Sequence, residues 1–190
     1  MRVAVCYVVN QQCYVIGIAG DPKNGHTCYS YFTCGTPLSS EVGAEPLKGK
    51  RDFEKAKQLV KEAGYKGEKI VIIDATDQPI VHSQSLLTLE NLKKIGLNAE
   101  IQAGDWGTLI TRRAVKEPVN PAVNFPIRGT GEKAWFGWPT DNKMEELREA
   151  WFTAPDAAAS KKAADAVQKH AFEFVPIVPT GRFILPTAYR

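Results

Sequence analysis

The most constraining feature of this chain is a strand–helix–strand pattern near its middle. "KIVIIDA" (69–75) is a short β-branched run and reads as a buried strand. "SQSLLTLENLKKIG" (83–96) reads as a helix that stops at Gly96, and the "TDQPIVH" before it reads as a loop. "LNAEIQAG" (97–104) alternates Leu97, Ala99, Ile101 and Ala103 with polar residues, which is strand periodicity. Strand, crossover helix and strand make a βαβ unit, whose strands are parallel neighbours with a right-handed connection. The expected class is therefore α/β. Ligands of such sheets sit beyond the carboxyl ends of the strands. Here that edge carries "DATDQPIVH" after the first strand and "GDWGT" after the second.

Helices flank this unit. Residues 1–19 read as one mostly apolar helix, broken by Gly20, Asp21 and Pro22. Cys6 and Cys13 are seven apart in it and so fall on one face, as buried small hydrophobes. "RDFEKAKQLVKEAG" (51–64) is amphipathic, with Asp52 as N-cap, Ala56, Leu59, Val60 and Ala63 on one face, and Gly64 as its stop. "DWGTLITRRAVK" starts a helix capped by Asp105. "TDNKMEELREAWFTA" starts one capped by Thr140 or Asp141, with Trp151 and Phe152 expected in the core. "PDAAASKKAADAVQKHAFEF" is expected to hold Pro155 in its first turn. The tail "VPIVPTGRFILPTAYR" is extended, punctuated by proline, and apolar enough to need a packing partner.

Composition excludes several classes. A chain of 190 residues can bury one domain-sized core. The formal net charge is +3 and the cations are dispersed, with Lys48, Lys50 and Arg51 the densest group. That is no nucleic-acid footprint. The most apolar run, "VAVCYVVNQQCYVIGIAG", is interrupted by Asn10, Gln11 and Gln12, so it neither spans a bilayer nor resembles a secretory signal. Cys28 and Cys34 flank "YSYFT" in a loop rich in Gly, Ser, Thr and Pro, and are a candidate disulfide in an oxidising compartment. There is no CxxC and no paired histidine, so no metal site is expected.

Catalytic signatures are missing too: there is no GxSxG, HExxH or GxxxxGK[ST]. The G-x-G of "RGTGEK" follows no strand and reads as a turn. His26, His82 and His170 are scattered, and only His82 borders the carboxyl edge of the expected sheet. Residues 116–141 have four prolines, three glycines and two tryptophans but no apolar period. Long irregular stretches inside compact domains are often functional. Tyr29, Tyr31, Phe32, Trp106, Trp135 and Trp138 lie in or beside loops, either as local packing or as the lining of a small-molecule cleft.

Three blocks in order, "RDFEKAKQLVKEAGYKGEKIVII", "LLTLENLKKIGLNAEIQAGDWGTLITRR" and "GWPTDNKMEELREAWFTAPDAAASKKAADAVQKHAFEFVPIVPTGRFILPTAYR", resemble one family. It is the extracellular solute-binding proteins, family 5, of ABC transporters of the dipeptide, oligopeptide and nickel type. The openings "RVAVCYVVNQQCYVIGIAGD" and "CYSYFTCGTPL" match as well, so the resemblance covers nearly the whole chain. It implies a periplasmic-binding-protein-like second lobe, residues 1–190 forming a single α/β lobe with a βαβ unit and flanking helices. Members are longer, so the chain is expected to be a C-terminal segment whose first lobe precedes Met1. The family's strand of the type "gWnxxxxxW", and an Asp that often meets a substrate amine, have no match between Lys116 and Pro121.

By that resemblance the expected function is capture of a small solute, of the peptide class, between two lobes for delivery to an ABC permease. The parent is then periplasmic or extracellular, needs no cofactor and is not an enzyme. Asp77 and Gln78 match the family's ligand-facing loop, with His82 beside them. Phe32 and Trp135 are further candidates for the cleft wall, while Trp106 and Arg112 are structural. The family often places a cation or aromatic near Gln78, so the neutral amide leaves the ligand class open. The alternative is an isolated α/β interaction lobe that binds no solute, with self-association through its exposed inter-lobe face.

Overall fold

The computed structural model describes residues 1–113 and 140–184. In chain order the elements are α1 (Arg2–Cys6), α2 (Gln11–Ala19), β1 (Gly25–His26), α3 (Glu45–Lys48), α4 (Phe53–Glu62), β2 (Ile70–Ala75), α5 (Pro79–Lys94), β3 (Ala99–Gly104), α6 (Trp106–Arg113), α7 (Asn142–Phe152), α8 (Ala157–Phe174) and β4 (Arg182–Phe183). β2 and β3 pair in parallel, from Ile70 opposite Ala99 to Ala75 opposite Gly104. That is the expected α/β unit, with α5 as its connection. A separate antiparallel ribbon pairs β1 with β4, so the extended tail comes back to the start of the chain.

Side-chain caps set the helix boundaries. Asp52 accepts the Lys55 N–H at 2.8 Å, Asp105 the Thr108 N–H at 2.9 Å, and Asp141 the Met144 N–H at 2.9 Å. Each satisfies a first-turn donor that the helix itself leaves unpaired. After α5 the chain passes through Gly96 at φ +84, a left-handed conformation that a side chain would strain.

Three boundaries differ from the sequence expectation. The opening helix is two helices. Asn10 is extended (φ −110, ψ 104) and its side chain accepts the Cys13 N–H at 3.2 Å, which starts α2 anew. Short polar side chains favour this capping role over a helix interior. The break turns Cys13 to solvent while Cys6 stays buried, so the two thiols do not share a face. Helix α5 begins at Pro79, not at Ser83, because proline lacks only an N–H that the first turn leaves unpaired anyway. His82 therefore sits in the first turn of α5 and not in a loop. In α8, Asp156 is the cap, accepting the Ala159 N–H at 2.8 Å, and Pro155 lies outside the helix.

The largest core cluster joins α1, α4 and α5 to the start of β3 through Ala4, Val8, Ala56, Val60, Leu92 and Leu97. Helices α7 and α8 pack as a pair over Met144, Val167 and Ala171. Phe152, expected in the core, is 56% exposed, whereas its neighbour Trp151 packs against that pair. In β2 only Asp74 and Ala75 are buried; Ile70 to Ile73 are half-buried, so the strand is less enclosed than its composition predicts.

The loop between β1 and α3 is fixed from both sides. Cys28 and Cys34 form a disulfide with Cα atoms 5.8 Å apart. Gln168, fully buried on α8, accepts from the Ser30 hydroxyl at 3.0 Å and the Tyr31 N–H at 2.9 Å, and donates to the Ser40 carbonyl. The Tyr31 hydroxyl donates to the Ile177 carbonyl at 2.7 Å, tying the same loop to the segment after α8.

Candidate functional site

The carboxyl ends of β2 and β3 present a short loop and two helix starts. Beyond β2, the Thr76 N–H donates to the Gly104 carbonyl at 2.9 Å, extending the parallel ladder by one step. The Gln78 N–H then closes a turn on the Ala75 carbonyl at 3.1 Å. That turn faces Asp77 toward the start of α6, where its Oδ1 accepts the Trp106 N–H at 2.9 Å. Asp105 caps the same helix with both oxygens on Thr108, and these bonds hold its carboxyl below the usual range. Gln78 is the N-cap residue of α5, yet its side chain makes no capping bond. Its amide stays at the exposed edge.

Beneath this loop a buried carboxylate meets a part-exposed histidine. Asp74, the last polar residue of β2, is 1% exposed. Its Oδ2 lies 2.6 Å from His82 Nδ1 in the first turn of α5. Its Oδ1 is buried with no hydrogen-bond partner among the described residues. Such an orphaned acceptor costs about 1–3 kcal/mol. The His82 side chain is 40% exposed, so the ring connects the interior carboxylate to the open edge. From α6, Arg112 donates to the side chain of Gln102 on the neighbouring strand β3.

An apolar cavity of about 480 Å³ runs along the side of β2. Its walls include Ile70 to Ile73 from the strand, Trp106 and Leu109 from α6, and Val175 to Val178 from the segment after α8. Its size falls in the range of small-molecule pockets. Val175 reaches this wall from a left-handed backbone conformation (φ 50) at the end of α8, an uncommon state for a β-branched residue.

The structure thus brings together three of the residues singled out from sequence. Asp77, Gln78 and His82 occupy one loop and the helix turn that follows it. Phe32 is placed elsewhere: it packs edge-on against Trp151 at 5.1 Å, within the α7–α8 cluster. Trp135 lies outside the described residues, as do Trp138, "RGTGEK" and the unmatched strand position after α6. Asp74 was not singled out. The signal for it is a lone carboxylate inside the apolar run "IVIIDA", which a buried strand tolerates only with a partner. The Trp106 backbone N–H donates to Asp77, while its side chain is 41% exposed at the cavity wall.

The mixed helix and strand fold, with its parallel β2–β3 pair, matches solved periplasmic-binding-protein structures. Residues 2–143 match the model "Bacterial extracellular solute-binding proteins, family 5 Middle", and the chain belongs to that family. It is 34% identical over 206 aligned residues to a protein of Sinorhizobium fredii named "Probable peptide ABC transporter periplasmic-binding protein y4tO". The match takes in 99% of this chain and 39% of that relative, so the chain spans about two-fifths of the relative's length. The alignment is longer than this chain, so the relative has residues inside the matched region without counterparts here. Among solved structures, the fold resembles the ABC transporter substrate-binding protein CtaP of Listeria monocytogenes, with a TM-score of 0.78 at 16% identity, covering 96% of this chain and 40% of that one. It also resembles the oligopeptide-binding protein AppA of Bacillus subtilis, solved with a nonapeptide, with a TM-score of 0.72 at 16% identity and the same coverage of 96% and 40%.

Proposed function

We propose that this chain is one α/β lobe of a solute-binding component of an ABC importer. The longer protein captures a small solute, a peptide in the leading case, between two lobes and hands it to a membrane permease. It does so in the periplasm or outside the cell. The observation that carries this reading is the family match over residues 2–143, joined to a carboxyl-edge loop that carries Asp77 and Gln78 with His82 in the helix turn after it. Capture of this kind works by hinge closure around the ligand. Affinity comes from burying the solute and pairing its polar ends, and no bond of the solute is made or broken. Asp77, Gln78 and His82 are the ligand contacts on this lobe. The relative named for peptide transport and the neighbour solved with a nonapeptide support peptide as the solute class.

The test is tryptophan fluorescence of the chain, and of the longer protein that contains it, during titration with di- and tripeptides. Trp106 stands at the cavity wall beside the loop and reports on it. A saturable change in the longer protein supports the reading. No change in either sample overturns it. A change in the longer protein alone assigns this chain to the alternative, a lobe without binding activity of its own. Exposed Ile16, Phe183 and Ile184 are apolar surface through which the isolated chain would self-associate, and sedimentation of the chain by itself reads this out.

A further inference from the structure

We infer that Asp74 is a positioning residue for the solute site: it fixes which nitrogen of His82 faces the solute and makes that nitrogen a hydrogen-bond acceptor. The inference rests on the solute-binding reading of the edge, but the geometry is independent of it. Asp74 is buried, and its Oδ2 meets His82 Nδ1 at 2.6 Å. An ionised carboxylate can only accept, so Nδ1 carries the proton. The neutral ring then keeps its lone pair on Nε2. Free histidine prefers the opposite tautomer, so the arrangement is imposed by Asp74. Nε2 makes no hydrogen bond among the described residues, and the side chain is 40% exposed. The atom offered at the edge is therefore a bare acceptor.

The surroundings agree in sign. Asp77, in the loop above, is a second acceptor, and Asp105 at the start of α6 is a third carboxylate. Arg112 on α6 lines a small pocket with Asp74 and Gln102, and its guanidinium is taken up by the Gln102 side chain. At the N-cap of α5, Gln78 adds a neutral amide. Acceptors of this kind complement an N–H group, so this edge takes an amine or amide of the solute and not its carboxylate. A fixed histidine tautomer set by a carboxylate is a recurrent device for holding a ring nitrogen ready for a ligand.

The experiment is ¹⁵N NMR of the imidazole nitrogens in the full chain, above the pH at which the rings titrate. His82 is assigned by its loss in His82→Gln. The expected result is a protonated Nδ1 and a bare Nε2 in the unaltered chain, and a shift toward the Nε2–H tautomer in Asp74→Asn. A protonated Nε2 in the unaltered chain, or no change in Asp74→Asn, overturns the inference. This measurement needs no ligand, so it decides the point even if the solute reading fails.

The second arm titrates trialanine and N-acetyl-trialanine into the longer protein. Asp74→Asn and His82→Gln are each expected to weaken trialanine binding about tenfold, the scale of one hydrogen bond to a charged group. The double variant is expected to lose no more than either single one. Acetylation of the amine is expected to weaken binding in the unaltered protein more than in the variants. Unchanged affinity in Asp74→Asn together with a changed tautomer overturns the positioning role. Absence of trialanine binding in the unaltered protein counts against a peptide solute and leaves the NMR result to stand alone.

Discussion

The carboxylate of Asp77 accepts the backbone N–H of Trp106 at 2.9 Å, across the two loops that leave the parallel strands. One side chain thus sets the spacing between the turn after β2 and the first turn of α6. The bond also takes up an N–H at the very start of that helix, where no carbonyl of the helix itself is in reach.

Replacing Asp77 with alanine removes this link. Stability is expected to fall by about 1 kcal/mol, the usual cost of losing a helix-end hydrogen bond. Trp106 emission should change at the same time, because its backbone anchor is gone. Urea titration followed by fluorescence measures both. An unaltered midpoint with unaltered emission would show that the contact does not form in solution.

His82→Ala leaves the buried Asp74 carboxylate with neither oxygen paired. The expected loss is about 1–3 kcal/mol, the cost of leaving a buried acceptor without its hydrogen bond. Asp74→Asn combined with His82→Ala removes the unpaired charge and should recover part of that loss. Thermal melts of the three variants give the comparison. Equal destabilisation by His82→Ala with and without Asp74→Asn would argue against a charged Asp74.

Asp141 predicts an acid dependence. Partial burial pushes its carboxyl up, but the Met144 N–H and the His170 ring outweigh this and bring it below the usual aspartate range. A depressed native value means that the stabilisation is whole above the unfolded value, about 3.9. It is lost as pH falls through the native value. Urea midpoints measured down into the acid range should therefore drop. Asp141→Asn should be less stable at neutral pH and should show a shallower acid drop. Parallel curves for the two proteins would refute this assignment.

The thiols differ in reach. Alkylation of the native, unreduced chain should modify Cys13, which is exposed, and spare Cys6. Burial also pushes the Cys6 thiol up to about 12, so little reactive thiolate forms. Unfolding without reductant should release Cys6, and only reduction should release Cys28 and Cys34. Reducing that disulfide is expected to cost about 2 kcal/mol for so short a loop. Mass spectrometry counts the labels, and labelling of Cys28 without reductant would count against the bond.

Local patterns determined much of the molecule. The strands at Ile70–Ala75 and Ala99–Gly104, the caps at Asp52, Asp105 and Asp141, and the stop at Gly96 are all readable in the chain, because each depends on neighbours within a few residues. Asp77, Gln78 and His82 were legible as a group for the same reason: they follow the carboxyl end of one strand. Where a local choice had two good answers, sequence failed. Asn10 in an apolar run suits a helix interior poorly and a cap well, and only the packing of α1 against α4 and of α2 against α5 decides for the break. Pro79 is either a loop residue or a first-turn residue, and the fit of α5 to β2 and β3 selects the second. The Asp74–His82 pair, the anchoring of Trp106 by Asp77 and the removal of Phe32 to the α7–α8 cluster were decided by tertiary structure alone. The physical reason is range. Caps and periodicity act over one or two turns, whereas a buried charge finds its partner only when a strand and a helix are folded onto one another.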